Sequence, residues 1–173
     1  MKHGPTLNRV TTAWSIILIT AILICSIGIA DSAERRRRPM TRRDKCPVCG
    51  MFVYKYPKWV AVIEFTDDSA HFYDGAKDMF KHLFNVSKYS PGKSAQDIMH
   101  IHVTDYYAVA LIDAKKALYV IGSNVLGPMG HELIPFEDEA SAKEFLEDHK
   151  GTRILRFSDI SEETIKALDA AQQ

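Results

Sequence analysis

Hydrophobic and polar positions change pattern three times along the chain. Residues 13–30, AWSIILITAILICSIGIA, are an apolar run without a charge. Residues 31–58 are polar, basic and aromatic by turns. From Trp59 onward the pattern is that of a folded domain. Trp59–Phe65 is rich in β-branched and aromatic residues, Thr66–Ser69 is a turn signal, and Ala70–Tyr73 returns as the second strand of a hairpin. Asp74-Gly75 opens a helix in which Ala76, Met79, Phe80 and Leu83 make one apolar face at i, i+3, i+4 and i+7. A polar loop, Asn85–Asp97, leads to a third strand over Ile98–Tyr107.

The order then recurs. Ala117–Ile121 is apolar and β-prone, Gly122–Gly130 is a Gly/Pro-rich loop, and His131–Phe136 is a strand. Glu137-Asp138-Glu139 places carboxylates at a helix start, where the dipole favours them. Ala142, Phe145, Leu146 and His149 repeat the helical spacing, Gly151 stops the helix, and Arg153–Phe157 is a strand. Ser161 caps a last helix that runs to Ala171. Ala76-x-x-Met79-Phe80 echoes Ala142-x-x-Phe145-Leu146, and Val103-Thr104-Asp105 echoes Phe157-Ser158-Asp159. The predicted fold is α+β: two ββαβ repeats packed together, residues 46–107 and 108–173, with helices on one face of antiparallel sheet.

Residues 1–33 read as a signal peptide or membrane anchor, with Lys2 and Arg9 before the apolar run and small residues after it. Cys25 lies in the run behind Ile24, a poor lipid-attachment context, and reads as a small apolar residue. Residues 34–45 read as a basic linker holding Arg35–Arg38, Arg42, Arg43 and Lys45. Such charges suit anionic headgroups, and behind an uncleaved anchor they favour the cytoplasmic side. The formal net charge of zero gives no sign of a nucleic-acid partner, and three cysteines are too few for a disulfide scaffold.

The candidate chemistry lies in Cys46-Pro47-Val48-Cys49-Gly50-Met51. Two thiols and a thioether within six positions are soft donors, the type that selects Cu(I), Zn or Fe–S over hard cations. Gly50 lets the backbone turn so that the sulfurs face one ion. A disulfide or inert pair, a redox dithiol and a metal site are the readings of such a pair. The redox reading needs a helix opening at the motif, and Phe52–Pro57 is β-prone instead. A structural zinc site needs four closed ligands, and with no second Cys-x-x-Cys two histidines would have to complete it, a less economical arrangement. Met129 sits in Gly127-Pro128-Met129-Gly130, a segment neither helical nor extended, which points to binding rather than packing, and His131 adds an imidazole two residues on. His100 and His102 alternate on one strand face and, like His71, read as solvated, while Trp59 reads as core. No nucleophile–base pair or general acid/base pair stands out, which weighs against an enzyme.

The Cys46-Pro-Val-Cys49-Gly-Met51 motif, the Gly127-Pro-Met129-Gly-His131 loop and the paired strand–strand–helix–strand halves resemble the NosL family, over roughly residues 46–160. The resemblance implies two ββαβ units, related to part of organomercurial lyase, and an exported lipoprotein that binds Cu(I) and delivers it to a copper-accepting cuproenzyme, nitrous oxide reductase, or its assembly proteins. It implies Cys49, Met51 and Met129 as metal ligands, with Cys46 and His131 as auxiliaries, and a location in the periplasm or on the outer face of the cytoplasmic membrane. The alternative from another class is an enzyme, either a membrane-tethered thiol-disulfide oxidoreductase or a lyase-like thiol enzyme.

Overall fold

The computed structural model describes residues 38–171. The signal or anchor segment, Cys25 and Arg35–Arg37 lie outside the described residues.

The first hairpin pairs β1 (Ala61–Phe65) with β2 (Ala70–Tyr73). Helix α1 (Ala76–Phe84) follows, then the single turn α2 (Val86–Tyr89), then β3 (Ile98–Thr104) and β4 (Leu111–Asp113). The four strands form one antiparallel sheet in the order β2-β1-β3-β4. The second half supplies β5 (Leu118–Ile121), β6 (Ile134–Phe136), helix α3 (Glu139–Asp148) and β7 (Arg153–Arg156), and its sheet runs β6-β5-β7, also antiparallel. Helix α4 (Glu162–Ala170) ends the described chain. Two antiparallel sheets and four helices among the described residues make a mixed α+β fold. In the first sheet β1 lies between β2 and β3, with β4 at the far edge, and in the second β5 lies between β6 and β7.

The central strands are covered on both faces, Val62 of β1 being as fully buried as its neighbours. Ala61, Ile63 and Phe65 of β1 are fully buried and belong to one core with Ala76, Met79 and Phe80 of α1. Consecutive residues of β5 face opposite ways. Tyr119 joins that same core, with Phe80 edge-on at 5.4 Å, whereas Val120 packs with Ile134, Phe136, Ala142 and Phe145 in a second core under α3. The middle strand of the second sheet is therefore covered on both faces, and β5 and β6 are wholly apolar, whereas the edge strand β7 carries the exposed Arg153 and Arg156.

Several element bounds differ from the sequence pattern, for local reasons. β3 stops at Thr104, not Tyr107, because the Asp105 carboxylate accepts from the N–H groups of Tyr107 and Ala108 and turns the chain. β6 begins at Ile134, not His131, because the Leu133 N–H donates to the Glu132 carboxylate. The polar stretch after α1 contains the turn α2, fixed by the buried His82 ring between Tyr73 Oη at 2.7 Å and Ser90 Oγ at 3.0 Å. The three-residue strand β4 is too short to carry a pattern. Residues 38–45 of the expected linker are part of the fold. The Arg38 guanidinium lies over the Phe72 ring and bonds Asp44 and the Ala70 carbonyl. That contact holds the Asp44 carboxyl below its usual range, although its partial burial acts the other way.

Candidate metal centre

The Cys46–Met51 segment is a tight hairpin closed by a bridge between Lys45 and Phe52. Cys46 N–H donates to the Met51 carbonyl at 2.9 Å, and Gly50 N–H donates to the Cys46 carbonyl at 2.8 Å. Gly50 has φ +80°, left-handed backbone that a side chain would strain. The turn aims backbone N–H groups at sulfur: those of Cys49 and Val48 at Cys46, and that of Met51 at Cys49. No α-helix begins at the motif, and both cysteines are free thiols.

Two carboxylates lie at the thiols: Asp74, which the sequence pattern reads only as part of a helix start, and Asp78, which it does not single out. Asp74 closes β2 and Asp78 lies in the first turn of α1; both are buried. The Cys49 thiol donates to Asp74 Oδ1 at 3.2 Å, and the Cys46 thiol donates to Asp78 Oδ2 at 3.4 Å. Ligand atoms of Cys46, Cys49, Asp74 and Asp78 all lie within 4.8 Å of one another, a spacing at which one ion can be held. Burial pushes the Cys49 thiol up to about 12, with Asp74 adding to the rise and the Met51 N–H opposing it. Burial and Asp78 likewise push Cys46 up. Both thiols are thus protonated near neutrality, unlike the depressed thiols of redox dithiols. A soft ion that displaces those protons gains two thiolates at once, while hard carboxylates alone would suit Mg or Ca.

The second sulfur-bearing loop lies against the same helix. Gly127 and Gly130 exchange backbone hydrogen bonds at 2.8 and 3.1 Å, leaving Pro128 and Met129 at the tip of a two-residue turn. The Met129 carbonyl accepts from Lys77 Nζ at 2.8 Å, so the turn rests on the first turn of α1, next to Asp78. Met51, Met129 and His131 are each half-buried. His131 follows in the same loop but is outside the cluster of Cys46, Cys49, Asp74 and Asp78. His100 is exposed and His102 faces Glu64 at 3.8 Å, on a strand face away from the thiols. Trp59 is half-buried and edge-on to Tyr106, against the second core.

Glu132 is buried in this loop, and burial raises its carboxyl to about 8, against the Leu133 and Lys77 N–H groups. A raised carboxyl pKa stabilises the fold fully below the unfolded value near 4.5 and loses that contribution as pH rises through about 8. Below about pH 6.5 the buried His82, lowered to about 4, works in the opposite direction, so Glu132 is read between pH 6.5 and 8. In urea titrations across this window, wild-type stability should fall with a slope of at most about 1.4 kcal/mol per pH unit, and Glu132→Gln should flatten it. An unchanged slope in the variant would mean that the native carboxyl is already ionised.

The sequence model of the NosL family matches residues 37–165. The chain belongs to the NosL family. A NosL relative from Stutzerimonas stutzeri, a copper-binding lipoprotein, is 26% identical over 176 residues, covering 96% of this chain and 88% of that protein. The crystal structure of the copper chaperone NosL from Shewanella denitrificans superposes with TM-score 0.63 at 20% identity, over 74% of this chain and 97% of that one, and shows the shared fold. The solution structure of apo-NosL from Achromobacter cycloclastes aligns with TM-score 0.43 at 26% identity, over 61% of this chain and 87% of that one. The two relatives described by role are named for copper binding and chaperoning, and neither is named as an enzyme.

Proposed function

We propose that this NosL-family chain is an exported Cu(I)-binding metallochaperone that hands copper to a cuproenzyme such as nitrous oxide reductase, or to its assembly proteins. The observation that carries the reading is the pair of thiols at one turn, one buried and one half-buried, hydrogen-bonded to two buried carboxylates, beside a loop whose Met129 carbonyl is anchored to the same helix. Cys49, Met51 and Met129 are the proposed ligands, with Cys46 and His131 as auxiliaries. Asp74 and Asp78 accept hydrogen bonds from the two thiols and relay their protons to solvent when copper enters. Thioether donors keep their affinity without losing a proton, and ligands on two turns leave the ion accessible to an incoming donor. The N-terminal segment carries export and membrane association, and the two strand–strand–helix–strand halves are read as repeats of one unit. The motif lies on a hairpin, with no α-helix opening there to lower a thiol's pKa, which argues against a dithiol oxidoreductase.

Titration under reducing conditions tests this. The chain should take up about one Cu(I) per molecule, with no turnover of disulfide substrates. Repeated at pH 6, 7 and 8, apparent affinity should climb by up to about tenfold per pH unit for each thiol proton displaced, because both thiols stay protonated until copper enters. Affinity independent of pH would show that no thiol proton reaches solvent on binding and would overturn the displacement of those protons by copper.

A further inference from the structure

Lys77 has no part in the ligand set above, yet it is the most tightly enclosed cation in the described fold. Its side chain is 1% exposed, a position lysine rarely occupies without specific partners. Those partners come from distant parts of the chain. Nζ donates to the Met129 carbonyl at 2.8 Å and pairs with Asp169 Oδ1 of α4 at 3.1 Å. Its backbone N–H donates to Glu132 Oε1 at 2.5 Å. Glu132 thereby caps α1 from the far loop, a task the cap residue Gly75 cannot perform because it has no side chain. The fit is close on that side too: a Cβ on Gly75 would lie 2.2 Å from Glu132 Oε2.

Lys77 thus fastens the 127–132 loop to α1 at two points, once through its side chain and once through its backbone. Asp78, the next residue along α1, accepts from the Cys46 thiol, and Asp74, just before the helix, accepts from the Cys49 thiol. A two-residue turn anchored at its own carbonyl has little freedom to swing, so the direction of the Met129 side chain is set by this anchor. We propose that Lys77 and Glu132 are positioning residues that hold the Met129 loop over the thiol pair, so that the thioether reaches a copper ion without an ordering step. This inference rests on the Cu(I) reading given above. It assigns neither residue to the ion itself. Pre-organisation by such outer groups typically governs about 10–100-fold of metal affinity.

The test is a double-mutant cycle on the full chain, with Cu(I) affinity measured by competition against a chromogenic Cu(I) chelator. Met129→Ala alone tests the ligand reading, and wild-type affinity there would sink that reading. Lys77→Leu puts an apolar side chain in the buried position, removes the donor and adds no sulfur. It should weaken Cu(I) by about 10–100-fold. The double variant should be no weaker than Met129→Ala alone, because an unheld thioether and an absent one are equivalent. X-ray absorption of the copper-loaded Lys77→Leu protein should show one sulfur fewer than wild type, a change that general destabilisation would not produce. Should Lys77→Leu fail to fold, Glu132→Asp draws the cap off the Lys77 N–H by one methylene and enters the same cycle with the same expectation. Wild-type affinity in the Lys77 or Glu132 variant, or losses that multiply with that of Met129→Ala, would overturn the positioning role while leaving the ligand reading in place.

Discussion

Cys49→Ser is expected to abolish tight Cu(I) binding. The serine hydroxyl is a hard donor that does not ionise near neutrality, so the ion loses its thiolate and gains nothing comparable. The loss should exceed the about 10–100-fold typical of outer-shell partners. The fold should survive, because Cys49 is half-buried on a turn and its hydrogen bond to Asp74 Oδ1, 3.2 Å long, is one a hydroxyl can also make. Competition titration and a thermal melt on the same sample separate the two effects. Wild-type affinity in a folded Cys49→Ser protein would leave this chain with the family's fold and without its metal chemistry.

Phe145→Ala should give the largest loss of stability. Phe145 is fully buried on α3, with ring centroids of Tyr106 at 4.9 Å, Phe136 at 5.0 Å and His149 at 4.4 Å. The second core has few other members, Val120, Ile134, Phe136 and Ala142, so little can move in to fill the space. A cost of about 3–5 kcal/mol in denaturant unfolding is expected. A change below about 0.5 kcal/mol, as at a surface position, would contradict this packing. Copper affinity per folded molecule should change little, since α3 contributes no residue to the metal centre.

These two residues also show what kind of information the chain carries locally. Phe145 was legible from helical spacing alone, because burial of one face imposes the 3.6-residue period on any helix that packs on a sheet. Cys49 was legible because sulfur donors around a glycine have few other uses. In contrast, His82 and Lys77 lie on the same helix as the apolar face and are equally buried, and no period announces them. Their burial is made tolerable by partners up to 92 positions away, Tyr73 and Ser90 for the first, Met129 and Asp169 for the second.

The sequence by itself determined the order of the longer strands and helices, the apolar faces of α1 and α3, and the sulfur-bearing turn. Each depends on neighbours within about eight positions, where period and turn chemistry act. Only the tertiary structure decided that Asp74 and Asp78 face the thiols and that the Met129 turn rests on α1. Only the tertiary structure placed Arg38–Lys45 within the fold. The reason is that a buried carboxylate looks in sequence like any helix-capping aspartate. What makes it part of a metal centre is the hairpin that β-sheet pairing and α1 packing bring against it, a contact between segments that no local pattern encodes.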